Sequence, residues 1–189
     1  TPGLDLAKLG AWFAAEVPGA GAVLEARLIT GGKSNLTFAV TDGTREWIVR
    51  RPPLGHVLAT AHDMGREFRV MSALRDTPVP VPETFAFCRD ESVIGAEFYV
   101  MELCAGRPLR RASELEALGP DRTRTISTAL VDTLAALHAI DPAGVGLGDF
   151  GRPEGFLARQ VSRWKKQLDQ SYTRDLPAAQ ELYERLAAD

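Results

Sequence analysis

The stretch from Leu24 to Leu74 constrains this chain more than any other, because its polarity pattern allows three strands and a helix in one order. Leu24, Ala26 and Leu28 alternate with Glu25 and Arg27, the period of two expected of a half-buried strand. Gly31-Gly32-Lys33-Ser34-Asn35 breaks the pattern with small and turn-forming residues, and Leu36, Phe38 and Val40 resume it. Asp42-Gly43 predicts a two-residue hairpin turn, since Gly and Asp tolerate the positive φ such turns demand. On the next strand, alternation places Trp47 and Val49 on one face and Ile48 and Arg50 on the other. Pro52-Pro53 ends it. A helix is predicted from about Asp63, with Met64, Phe68, Met71 and Leu74 on one stripe.

Glu67 projects from that same apolar stripe. A carboxylate there is costly unless a cation meets it, and Arg50 is the natural partner. Arg51 is the alternative, but strand alternation favours Arg50. A glycine-rich turn between two strands, a basic residue on the third and a helical Glu that holds it together make a grip for nucleotide phosphates. In that grip Gly32, Lys33, Ser34 and Asn35 would lie over the phosphates, Arg50 would supply the cation and Glu67 would orient it. Two plainer readings stay open: a hairpin with a polar tip, and a salt bridge that only ties strand to helix. Gly32-Lys33-Ser34 is not a Walker loop, because Arg27 stands where that motif needs a glycine and a strand follows where it needs a helix.

The remaining segments extend the pattern. Leu6, Leu9, Phe13 and Val17 make an amphipathic opening helix, closed by Pro18-Gly19. Thr77 to Pro82 must be extended, because each proline biases its predecessor away from helix. Thr84–Cys88 and Glu97–Met101 read as two more strands. Ser113-x-x-Glu116 predicts a capping box. Helices are expected from Asp121, with Ile126, Leu130, Leu134 and Leu137 on one face, then around Phe156 to Leu168, and from Pro177 through Leu186.

Taken together, Gly31–Phe38 (GGKSNLTF), Ile48–Pro53 (IVRRPP), Arg66-Glu67-Phe68, Tyr99–Gly106 (YVMELCAG) and Leu137–Pro142 (LHAIDP) resemble the aminoglycoside phosphotransferase family of kinase-like enzymes. The similarity is strongest to an actinobacterial branch related to kinase-like domains found beside acyl-CoA dehydrogenases. The resemblance implies an α+β, protein-kinase-like fold. A five-stranded antiparallel first lobe with one helix would occupy residues 1–103, and the first, helical part of a second lobe residues 104–189. It further implies adenine contacts at Glu102 C=O and Cys104 N–H, where a purine edge needs one acceptor and one donor. The implied activity is transfer of the γ-phosphoryl group of ATP or GTP, with Mg2+, to a hydroxyl of a small molecule. The family's His-Gly-Asp loop, its Asn and a further metal-binding Asp are expected after Asp189 and are absent from these residues. No catalytic or metal-binding residue is therefore assigned, and the 189-residue chain alone is expected to be inactive. The alternative is a non-catalytic nucleotide-binding or interaction module.

Asp149-Phe150-Gly151 matches the magnesium-binding triplet of protein kinases. No His-Arg-Asp loop or strand pair precedes it, so it is read as part of an interhelical loop. His56, His62 and His138 form no zinc-type pattern, and Cys88 and Cys104 make neither a metal pair nor a disulfide framework. No serine lies in a nucleophile-elbow pattern. A formal charge of −3 argues against general nucleic-acid binding. Apolar residues at 45% and charged residues at 25% fit an ordinary globular chain. No apolar run has membrane-spanning length and no signal peptide is visible, so a cytoplasmic protein is expected; with Thr1 in place of Met, a processed or trimmed start is expected.

Overall fold

The computed structural model describes residues 2–22, 24–30, 35–55, 62–171 and 174–188. The predicted phosphate-covering residues Gly32, Lys33 and Ser34 lie outside these, as does His56. Two compact units divide the chain, Thr1–Asp141 and Pro142–Asp189.

The first unit is built on a five-stranded sheet. Its strands are β1 (Glu25–Leu28), β2 (Leu36–Thr41), β3 (Glu46–Arg51), β4 (Thr84–Cys88) and β5 (Phe98–Glu102), in the spatial order β1-β2-β3-β5-β4. Every neighbouring pair is antiparallel. Register explains how one sheet buries both faces. Phe38 pairs with Val49, Val40 with Trp47, and Val49 with Val100, so these side chains share one face. The helix α1 (Leu6–Glu16) closes that face through Leu9 and Phe13, both fully buried. Trp47 and Trp12 meet Phe13 edge-on, with ring centroids 5.6 and 5.9 Å away. Ala39, Ile48, Arg50, Tyr99 and Met101 pair across the opposite face. There the helix α2 (Met64–Leu74) packs through Phe68, stacked on Phe87 at 5.6 Å and tilted against Tyr99 at 6.1 Å. Asp63 caps α2 by accepting a hydrogen bond from the Arg66 N–H at 2.8 Å.

Adjacent arginines on β3 point to opposite sides, as strand geometry requires. Arg51 turns to the α1 side and is only 4% exposed. Its guanidinium donates to the Gly3 carbonyl at 2.6 Å, the Ile94 carbonyl at 2.7 Å and the Pro52 carbonyl at 3.1 Å. Burial lowers its pKa from the usual arginine value.

Two local predictions need correcting. The β2–β3 connection takes four residues, Asp42 to Arg45, rather than two, since Thr41 pairs with Glu46. Gly43 supplies the positive φ of 90°. The Asp42 carboxylate accepts from the Thr44 and Arg45 N–H groups, the Thr44 hydroxyl and the Gly21 N–H. An Asp that can satisfy the turn's own N–H groups stabilises this longer loop. Farther on, the short helix α3 (Ala112–Glu116) is capped by Glu114, not by the Ser113/Glu116 pair. Glu114 sits at the third helical position, within reach of the Arg110 and Arg111 N–H groups at 2.7 and 2.8 Å.

The helix α4 (Pro120–His138) completes the first unit, with Pro120 in the first turn, where its missing N–H costs nothing. The second unit opens with turns through Leu147, which is buried, and continues into α5 (Phe156–Ser171) and α6 (Pro177–Ala188). Lys165 of α5 lies 5.5 Å from the Tyr183 ring of α6. Asp149-Phe150-Gly151 falls in the turn segment between α4 and α5, as expected of an interhelical loop.

Candidate functional site

The α2 face of the sheet places Arg50, on the last turn of pleat before β3 ends, under the first turn of α2, where Glu67 sits. The helix N-terminus favours a carboxylate at that position. Arg50 Nε donates to Glu67 Oε2 at 2.9 Å, the pairing predicted from sequence. Their side chains are 31% and 36% exposed. An ion pair that open to water adds only about 0–1 kcal/mol to stability, so tying strand to helix is a minor part of what it can do.

Three further side chains complete the arrangement. Tyr99 on β5 pairs with Arg50 in the ladder, and its hydroxyl donates to the same Glu67 Oε2 at 2.8 Å. Burial, then the adjoining Glu67 carboxylate, raises the Tyr99 phenol well above its usual value, so it remains a proton donor across the physiological range. Thr37 on β2, opposite Arg50, accepts from Arg50 Nη1 at 3.2 Å. Asn35, the first described residue after the glycine-rich sequence, donates from Nδ2 to Glu67 Oε1 at 3.0 Å. Its Oδ1 lies 2.6 Å from His62 Nδ1. The Glu67 carboxylate thus accepts three hydrogen bonds, and no buried side-chain polar atom among the described residues lacks a partner.

Of the predicted site residues, the structure brings together Asn35, Arg50 and Glu67. Asn35 reaches inward to Glu67. Glu102 ends β5, and its carboxylate accepts from the Glu83 N–H at 3.1 Å while its own N–H donates to the Glu83 carbonyl. Cys104 follows it, exposed and unpaired, with its thiol raised by desolvation and by the Glu102 carboxylate. Tyr99, Thr37 and His62 were not singled out from sequence. Alternation within Phe98–Met101 does put Tyr99 on the side opposite Phe98 and Val100, which with the register would have aligned it with Arg50. His62 carries no such signal, because it lies in the loop before the α2 cap.

An antiparallel five-stranded sheet whose central strand offers a cation to a helical carboxylate defines a kinase-like α+β phosphotransferase fold. The chain belongs to the phosphotransferase enzyme family APH, whose model matches residues 25–189. It superposes on the crystal structure of a "putative aminoglycoside phosphotransferase" from Ralstonia eutropha JMP134 with a TM-score of 0.81 and 36% identity. That match covers 97% of this chain and 53% of the other. It is also similar to acyl-CoA dehydrogenase family member 11 of Gallus gallus, 43% identical over 164 residues, and of Homo sapiens, 39% identical over 186. These matches cover 87% and 96% of this chain but only 21% and 24% of the relatives. A third relative is the probable acyl-CoA dehydrogenase IBR3 of Arabidopsis thaliana, 39% identical over 141 residues, covering 72% of this chain and 17% of that protein. The chain spans about a quarter or less of the curated relatives it matches. Among the described residues no helix is long and apolar enough to cross a membrane.

Proposed function

We propose that the protein to which this chain belongs transfers the γ-phosphoryl group of a nucleoside triphosphate to a hydroxyl of a small molecule, and that these residues supply the grip on the nucleotide. The observation that carries the proposal is the Arg50–Glu67 pair, about a third exposed and held in place by Tyr99 and Asn35. With Nε committed to Glu67 and Nη1 to Thr37, the guanidinium is fixed in direction while part of it stays open to solvent. A fixed, partly hydrated cation is suited to fork two oxygens of a polyphosphate. Gly32, Lys33 and Ser34 are proposed to cover the phosphates from above. The Glu102 carbonyl and Cys104 N–H are proposed to meet the adenine edge, with the lobes divided at about residue 103.

In the transfer, a bond forms between the acceptor oxygen and the γ-phosphorus as the bridging bond to the β-phosphate breaks. The nucleoside diphosphate leaves, and the acceptor proton passes to a base. That base is assigned to sequence outside these residues. Magnesium, which the family implies, would be held by the nucleotide phosphates and by carboxylates outside these residues; among the described residues there is no group of three or more His, Cys, Asp or Glu that could hold a metal ion. ATP is the proposed donor, with GTP as the other candidate. For the acceptor, the names of the relatives favour a hydroxylated acyl thioester, and the solved neighbour's name an aminoglycoside. A cytoplasmic location is proposed.

Calorimetric titration of the full-length gene product with ATP and GTP, with magnesium present, tests the reading. Binding that Arg50→Ala weakens about 10–100-fold, the worth of a charged hydrogen bond, supports it. Binding of neither nucleotide overturns it. Nucleotide binding without turnover on hydroxyacyl thioesters or aminoglycosides would instead support the non-catalytic module.

A further inference from the structure

Hydrogen-bond chemistry around Glu67 fixes more than the Arg50 pair. Ionised Glu67 can only accept, so the Asn35 atom facing Oε1 at 3.0 Å must be the NH2 group. The Asn35 carbonyl oxygen then faces His62 Nδ1 at 2.6 Å. Two acceptors cannot share that contact, so Nδ1 carries the hydrogen. Neutral His62 is therefore the Nδ1–H tautomer, with its lone pair on Nε2. The chain of donors runs one way: His62 Nδ1–H to Asn35 Oδ1, and Asn35 Nδ2–H to Glu67 Oε1, while Arg50 and Tyr99 hold Oε2.

From this one-way chain we infer that His62 is a positioning residue for the nucleotide grip, acting through Asn35; the inference rests on the nucleotide reading above. The two amide atoms of Asn35 are both engaged, which fixes where the chain enters β2. The same amide locks the second oxygen of Glu67, and so the plane of the carboxylate that aims Arg50. Glu67 decides which way the amide points, and His62 holds its other end. Without a donor at position 62 the Asn35 carbonyl loses its partner, and the amide, held by Glu67 alone, no longer keeps one position. The grip and the start of β2 would then be uncoupled, although no residue that meets the nucleotide has changed.

The chemistry predicts a pattern that mere packing does not produce. His62→Asn can present its amide N–H where Nδ1–H stood and is expected to bind ATP like the wild type. His62→Asp offers only acceptors, and His62→Ala offers nothing. Each is expected to weaken ATP binding about five- to tenfold, the worth of one positioning hydrogen bond. The experiment is ATP titration of the full-length gene product and these variants by calorimetry, with thermal midpoints measured alongside. Long-range 1H–15N spectra of the wild type would report the His62 tautomer. Weakening in His62→Ala and His62→Asp with rescue in His62→Asn, and an Nδ1–H signature, supports the role. Equal affinity in all four proteins overturns it, as does an Nε2–H tautomer. Should His62→Ala fail to fold, the comparison of His62→Asn with His62→Asp still decides. Arg50→Ala separates the two levels: if it abolishes binding and the His62 variants leave binding alone, only the positioning role fails. If the wild type binds no nucleotide, both fail.

Discussion

Asp42 shows how much one exposed carboxylate can organise. Hydrogen bonds from the Gly21 N–H, the Thr44 hydroxyl and the Arg45 and Thr44 N–H groups hold its pKa well below the usual carboxylate range. A carboxylate depressed in the folded state contributes stability that is full above its unfolded pKa, about 4, and lost as pH falls through the lower folded value. Asp42→Ala should therefore lower the urea midpoint at pH 7, and the gap to wild type should narrow below about pH 4. Urea melts at several pH values would check it; a constant gap down to strong acid would count against the assignment. Glu67 is a different case. Its place in an apolar stripe was visible in the sequence, and so was the need for a cation, because helical period and strand alternation are local properties. Tyr99 and Asn35 were not predicted as its partners, nor His62 as the partner of Asn35. Those contacts join residues 27 and 32 positions apart, and nothing in local spacing encodes them.

Among the elements, α1 has a backbone approach with no slack at Gly10. Gly10 faces the backbone of Ala22 so closely that a Cβ placed there would lie 1.9 Å from the Ala22 carbonyl oxygen. Gly10→Ala must push α1 off the sheet or displace that backbone, and a loss of at least about 1–3 kcal/mol is expected in chemical denaturation. Phe13→Ala removes a fully buried ring between two tryptophans and should cost about 3–5 kcal/mol, read the same way. The sequence anticipated these elements because each has a one-sided pattern. What it missed was at their ends. Loop length between β2 and β3 and the choice of capping carboxylate for α3 depend on which N–H groups are within reach, and residue type alone does not settle that. Nor did alternation reveal that β3 is buried on both faces; two helices, remote in sequence, had to be placed first.

At the scale of the molecule, one apolar helix face within the first unit stays uncovered. The face of α4 that the sequence marked as apolar is largely open: Leu130, Leu134 and Leu137 are 71%, 50% and 41% exposed. Helix faces of this kind promote association. The 189-residue chain is expected to bind a hydrophobic dye and to self-associate with rising concentration, more than the full-length gene product does; sedimentation and dye titration would decide. Arg51 has a practical consequence at the opposite end of the chain. One of its acceptors is the carbonyl of Gly3, three residues from the start, and the cation behind it is nearly sealed from water. Anyone choosing an expression boundary would treat such a terminus as disposable. Cutting after Leu4 would instead strip a ligand from a buried guanidinium, at a cost of about 1–3 kcal/mol, and the damage would surface at Ile94, ninety residues from the cut.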